Sequence, residues 1–295
     1  MLKDKVVAVL MGGISNERDI SLKTGEAVFN ALKRRGYNVV KIDINERSLA
    51  PFLSVKFDIA FIALHGNFGE DGTVQGVLEY MGIPYTGSKV LGSAISMNKV
   101  LSKKLFQREG IPTGKFWLKG DEGELQFPIV VKPVSEGSTI GVYIVKSKDE
   151  LQSAVEKSME VSEDIFFEEY LEGKEVTVSV LNGKALPVIE IRPNKGFYDY
   201  TAKYTKGMTE YIIPAHISER SRVLISEYSE KIFKVFNLDG ACRVDFIIKD
   251  DSPYLLEVNT IPGMTETSLL PKAANHSGVT FEELVEKILL GVKVK

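Results

Sequence analysis

Cysteine is almost missing from this chain of 295 residues: Cys242 is the only one. That excludes an intrachain disulfide framework and fits a reducing compartment. Cys242 lies in the strand-like run "GACRVDFII" and reads as a buried structural thiol rather than a nucleophile. Long hydrophobic runs are missing too. The apolar start "VVAVLM" spans six residues before Gly-Gly, too short for a signal-peptide core or a membrane span. The expectation is a soluble, cytoplasmic protein with no membrane contact. Neither charge dominates: the net charge is −3 and the pI about 5.8, which gives no electrostatic reason to expect nucleic acid. The three histidines, His65, His216 and His276, are scattered, and no H-E-x-x-H or Cys/His cluster occurs, which argues against zinc. No Walker loop is present, and "GGISNERDIS" lacks the G-x-G-x-x-G spacing of a dinucleotide fold, although Asp43 ends the second strand, where a ribose ligand is expected.

What is present is an ordinary globular composition, 44% hydrophobic and 26% charged, in a chain longer than one core usually serves. The first 87 residues alternate apolar strands ("KVVAVLM", "YNVVKIDI", "FDIAFIAL") with amphipathic helices ("SLKTGEAVFNALKRRG", "GTVQGVLEYMG"). That alternation predicts parallel βαβ units, with ligand loops at the carboxyl ends of the strands. From Ser88 the texture becomes α+β: a helix over "MNKVLSKKLFQREG", short strands "FPIVVKP" and "GVYIV", a helix, and the strand "DIFFEEYL". Beyond Gly173 comes a hairpin whose Asn182-Gly183 fits a type I′ turn. An irregular stretch (193–208), a helix near Ser218 to Phe236, two strands around "KDDSP" and a helical end complete the chain. The expected units are 1–87, 88–172 and 173–295.

Four stretches carry chemistry. In "VVKPVSEGSTIGV", Lys132 ends an apolar strand and a loop of small residues follows, Ser135 to Gly141, suited to backbone contact with phosphate; an ordinary hairpin loop fits as well. "FFEEYLEGKEVTV" holds Glu168 and Glu175 around Tyr170 and Leu171. It reads either as a solvated acidic stretch or as acceptors for a base amine and a sugar hydroxyl. "RVDFIIKDDSPYLLEVNTIPG" is the sharpest: Asp245 on one strand faces Glu257 and Asn259 on the next. Side chains at i and i+2 share a face, so the three oxygen donors can converge on a hard cation. Arg243 shares the face of Asp245 and can stabilise developing negative charge. Finally, Glu17 and His65 follow buried strands at the expected ligand mouth, where Glu17 could hold an ammonium group; a helix N-terminal acid and a turn histidine are the plain alternatives.

Taken in order, these stretches resemble the D-alanine–D-alanine ligases of the ATP-grasp superfamily, nearly end to end: "ALHGNFGEDGTVQGVLEYMGIPYTG", "MNK", "VVKPVSEGSTIGV", "EEYLEGKEVTVSVL", "YDYTAKY", "RVDF" and "LLEVNTIPGMTETSLLP". Asn98 stands where the family's M-D-K has Asp. The resemblance implies an ATP-grasp α/β fold, an N-terminal parallel α/β domain followed by two α+β subdomains that clasp ATP. It implies that Lys99 and Lys132 contact phosphates under the Ser138 loop, and that Glu168, Tyr170, Leu171 and Glu175 hold adenine and ribose. Asp245, Glu257 and Asn259 would hold two Mg²⁺ ions, Mn²⁺ being able to substitute. Glu17 and His65 would face the first D-alanine, Arg243 and Gly263 the oxyanion, and Ser268 and Leu269 the second carboxylate. Lys203 and Tyr204 would sit on a closing loop, Tyr204 linking toward Ser138 and Glu17 and favouring an amine acceptor over D-lactate. The implied reaction joins two D-alanines through an acyl phosphate for peptidoglycan precursor synthesis, in a homodimer. Rival readings are another ATP-grasp carboxylate–amine ligase or a D-alanine–D-lactate ligase, a non-catalytic small-molecule binder, and a nicotinamide-dependent dehydrogenase.

Overall fold

A computed structural model describes residues 2–121, 125–194, 205, 207–265 and 268–292. Strands β1 (Val6–Gly12), β2 (Asn38–Ile44) and β3 (Ile59–Ile62) form a parallel sheet in the order β2-β1-β3. The period-two geometry of β1 divides its apolar residues between two cores. Val7, Val9 and Met11 pack with Val28, Ala31 and Leu32 of helix α1 (Arg18–Arg34). Ala8 and Leu10 pack with Phe52 of α2 (Ala50–Ser54) and with Val74 and Leu78 of α3 (Thr73–Met81). The parallel sheet is thus covered on both faces, as its unbroken apolar strands require.

Helices α4 (Val90–Met97) and α5 (Lys99–Arg108) lead out of this layer. Between them Asn98 caps α5, its Oδ1 accepting from the Leu101 amide at 2.9 Å. Asn and Asp cap about equally well, so the departure from M-D-K preserves the local structure. Strands β4 (Phe116–Leu118), β5 (Ile129–Pro133), β6 (Tyr143–Val145) and β7 (Ile165–Glu169) make an antiparallel sheet in the order β4-β7-β5-β6, covered by α6 (Lys148–Met159).

The second antiparallel sheet has the order β11-β10-β8-β12-β13, with β9 beside β8. Its strands are β8 (Lys174–Leu181), β9 (Lys184–Ala185), β10 (Ile189–Pro193), β11 (Thr209–Ile212), β12 (Ala241–Lys249) and β13 (Ser252–Asn259). Asn182 and Gly183 both have positive φ, 50° and 81°, the geometry a type I′ turn demands. Helix α7 (Glu219–Val235) covers one face, and the rings of Phe106 and Phe236 stack at 5.7 Å. Last come α8 (Leu269–His276) and α9 (Phe281–Leu290). Leu270, Leu284, Val285 and Leu289 join the α1 core, Arg34 pairs with Glu282 at 2.8 Å, and Tyr37 donates to Glu286 at 2.9 Å. The final helices therefore close back on the first layer, and ahead of α8 the Met264 amide donates to Thr24 Oγ1 of α1 at 3.5 Å. Two helices, α2 and α4, and strands β4 and β11 are additions to the sequence expectation. The two helices are short, of five and eight residues, and β11 owes its existence to pairing with β10.

Candidate active site

The register of β12 and β13 builds the centre. Arg243 is opposite Asn259 and Asp245 opposite Glu257, and a bulge follows immediately, between Asp245 and Phe246. Such a bulge re-aims side chains near functional sites. Asp245 is nearly buried and fully engaged. Arg243 donates to it through Nε at 2.9 Å and Nη2 at 2.8 Å, and Thr177 Oγ1 donates to it at 2.6 Å. Asn259 Oδ1 accepts from the Ile261 amide at 3.0 Å, and Glu257 Oε2 lies 3.6 Å from Lys99 Nζ.

On one side of this centre a cleft of about 800 Å³ is lined by Lys99, Lys132, Glu168, Tyr170, Leu171 and Glu175, with Asp245 and Glu257 also on its wall. Two antiparallel strands position its ion pair: in the β5–β7 register Val130 faces Glu168, so Lys132 is the diagonal neighbour of Glu168. Lys132 Nζ donates to Glu168 Oε2 at 2.6 Å, and Lys103 donates to Oε1 of the same carboxylate. Burial alone would raise the pKa of Glu168; the two ammonium groups outweigh it and hold the carboxyl below its ordinary value. Burial likewise pulls Lys132 down, and the same carboxylate outweighs it, leaving that ammonium above the ordinary lysine value.

On the other side a second cleft, about 1020 Å³ and open to solvent, is lined by Glu17, His65, Ser138, Arg243, Gly263 and Ser268, with Asn259 and Leu269 also on its wall. Ser138 donates to Glu17 Oε1. Ser138 and Thr139 hold φ of 52° and 63°. This left-handed backbone is costly for residues with a Cβ and concentrates at functional loops. Gly137 permits the close approach, since a Cβ there would stand 2.9 Å from Glu17 Oε2; one on Gly263 would stand 2.9 Å from Ser268 Oγ. His65 is buried, its Nε2 3.0 Å from Thr24 Oγ1 and its Nδ1 3.4 Å from Glu70. Burial raises the pKa of Glu70, with His65 opposing the shift. The two clefts meet at Lys99, Glu136 and Glu257.

Of the residues singled out in the sequence, sixteen line one cleft or the other, or both: Glu17, His65, Ser138, Arg243, Asn259, Gly263, Ser268 and Leu269 on one side, Lys132, Glu168, Tyr170, Leu171, Glu175 and Asp245 on the other, with Lys99 and Glu257 at the junction. Lys203 and Tyr204 lie outside the described residues. Sequence reasoning missed Lys103, Thr177, Glu70 and Glu136. Lys103 had a signal: it stands four residues after Lys99 on one helix, hence on the same face. Among the described residues no three His, Cys, Asp or Glu side chains cluster as a metal site; the candidate set is two carboxylates and one amide.

A parallel α/β layer followed by two antiparallel sheets, with a lysine-bearing cleft between the sheets, defines an ATP-grasp enzyme. Comparison with known proteins narrows the class. The profile of the family described as D-ala D-ala ligase C-terminus matches residues 89–290, and that of D-ala D-ala ligase N-terminus matches residues 47–88. A D-alanine–D-alanine ligase of Syntrophotalea carbinolica is 48% identical over 299 residues, covering 100% of this chain and 98% of the relative. The crystal structure of a D-alanine–D-alanine ligase from Bacillus anthracis superposes with a TM-score of 0.87 at 40% identity, covering 97% of this chain and 96% of that one. The structure of the Bacillus anthracis ligase complexed with ATP superposes with a TM-score of 0.85 at 39% identity and the same coverage. This chain belongs to the D-alanine–D-alanine ligase family.

Proposed function

We propose that the protein joins two D-alanine molecules into D-alanyl-D-alanine at the expense of ATP, releasing ADP and phosphate, as a step toward peptidoglycan precursors. The observation that carries this reading is the meeting of the two clefts. A nucleotide in the cleft of Lys132 and Glu168 would direct its phosphates toward Lys99 and Glu257, where an amino acid in the Glu17 cleft can meet them. The carboxylate of the first D-alanine attacks the γ-phosphorus and the bond to ADP breaks, giving an acyl phosphate. The amine of the second D-alanine attacks that carbonyl, loses a proton and expels phosphate.

The roles follow from side-chain chemistry. Glu17, oriented by Ser138, holds the first ammonium. Lys99 and Lys132 balance phosphate charge, while Glu168 and Glu175 flank the base and ribose beside Tyr170 and Leu171. Arg243, with the backbone at Gly263, stabilises the tetrahedral oxyanion. Ser268 and Leu269 receive the second carboxylate at the start of α8. Asp245, Glu257 and Asn259 would hold Mg²⁺, two ions with Mn²⁺ able to replace them: the all-oxygen set on paired strands suits a hard cation that shares its shell with phosphate. When bound, the ions supply neutralisation of phosphate charge. The acyl phosphate must be kept from water, and Lys203 and Tyr204 belong to this reading as closing residues. The same reading includes a homodimer working in the cytoplasm, and units near 1–87, 88–172 and 173–295. No helix among the described residues is long and apolar enough to cross a membrane.

The test is phosphate release from Mg-ATP with D-alanine, beside L-alanine, D-lactate and no substrate. Release with D-alanine alone, with dipeptide on chromatography, is the expected result. Release that requires another acid or amine moves the substrate assignment, and no turnover by folded protein overturns the enzyme.

A further inference from the structure

Among the largest fully buried side chains of the described residues, one is a lysine. Lys103, on α5, is 1% exposed, and it lines neither cleft. A buried ammonium persists only where it is paired and hydrogen-bonded. Its Nζ donates to Glu168 and, at 2.8 Å, to Thr113 Oγ1; that hydroxyl donates to the Leu255 carbonyl at 2.7 Å, two residues before Glu257. One ammonium thus ties α5 to β7 and, through Thr113, to β13. Glu168 has a second cation in Lys132, whose side chain is 16% exposed and faces the nucleotide cleft. Two cations serve one carboxylate, and only one of them can reach a ligand.

We propose that Lys103 is a positioning residue for the nucleotide: it is the permanent counter-ion of Glu168, so that Lys132 can leave that carboxylate for the phosphates of ATP without stranding a buried negative charge. This rests on the ligase reading. Without Lys103, Lys132 either stays on Glu168 and is lost to the phosphates, or departs and leaves Glu168 unpaired. Both outcomes weaken nucleotide binding. The cleft of Glu17 and Ser138 contains neither lysine, so D-alanine binding is untouched.

The test is initial-rate kinetics of the full chain carrying Lys103→Met, Thr113→Val or Thr113→Ser, with calorimetric binding of Mg-ADP. Lys103→Met should raise KM for ATP about ten-fold or more and weaken ADP similarly, with KM for D-alanine within about two-fold of the parent. Thr113→Val, which frees Lys103 from its anchor, should move the same parameter by about three-fold. Thr113→Ser keeps the hydroxyl and should behave as the parent. An unchanged KM for ATP in folded Lys103→Met, or equal rises in both KM values, overturns the proposal. If Lys103→Met does not fold, an unchanged KM for ATP in Thr113→Val overturns it. Failure of the ligase reading looks different: the unmodified protein would not turn over ATP with D-alanine, and ADP affinity alone would then decide the role of Lys103.

Discussion

Asp245→Asn is the substitution with the most to reveal, because it keeps the shape and removes one charge. Asp245 accepts three hydrogen bonds, two from Arg243 and one from Thr177, at 2.6 to 2.9 Å. An amide has one acceptor oxygen, and turning its NH₂ toward Arg243 would set donor against donor. At least one bond is lost and the rest lose their charge assistance, each worth about 1 kcal/mol. The expected destabilisation is about 2–3 kcal/mol, a fall in Tm of roughly 3–5 °C for a chain of this size. The effect on chemistry is larger. Loss of one anionic ligand, and of the fixed orientation of Arg243, should remove about 4 kcal/mol of transition-state stabilisation, roughly a thousand-fold in turnover. The assay is phosphate release from Mg-ATP and D-alanine at temperatures where the melt shows both proteins folded, repeated across Mg²⁺ concentrations. Turnover within ten-fold of the parent refutes the site. A large fall with an unchanged Mg²⁺ requirement refutes the metal role and leaves Asp245 as an anchor for Arg243 only.

Ser138→Ala removes the donor that orients Glu17 and should raise KM for D-alanine by about ten-fold while KM for ATP moves less than about two-fold; the reverse split in initial-rate data would displace Glu17 from the ammonium site. Burial pushes the Tyr37 hydroxyl up from 10 to about 12, with Glu286 adding to the shift. A raised pKa stabilises the fold fully below the unfolded value, so this contribution is present below pH 10 and is lost as pH rises toward 12. Urea melts of the parent should lose stability across that window faster than melts of Tyr37→Phe, and parallel losses would refute the assignment. Cys242 is fully buried and burial pushes its thiol to about 12, so iodoacetamide at pH 8 should label it only in denaturant. Rapid labelling of native protein would contradict the packing of β12.

The centre of the site was legible because local geometry alone places it. Alternation along a strand sets Arg243 beside Asp245 and Glu257 beside Asn259, and a short hairpin brings the two pairs together. Nothing non-local had to be known. The ion pair of Lys132 and Glu168 is different. Both residues were singled out, but their contact depends on the β5–β7 register, which sequence spacing does not determine across a separation of 36 positions. Strand β11 was unreadable for a related reason, since it is ordered by pairing with β10 rather than by its own pattern.

Lys103 is the instructive omission. A lysine on an amphipathic helix is ordinarily solvated, and the surrounding "KVLSKKLFQR" offers three lysines of the same composition. What separates them is the helical repeat. Lys99 and Lys103 are four residues apart and both buried, while Lys104 is exposed. A face that buries two lysines cannot be hydrophobic throughout, because each ammonium needs a carboxylate or several acceptors in reach. The face must therefore meet acids carried by another element. Here those acids are Glu168 for Lys103 and Glu257 for Lys99, one in the cleft of Lys132 and Tyr170 and the other where the two clefts join. Helix α5 thus supplies a cation to the acid at each of these two places, and a single turn of helix separates the two lysines.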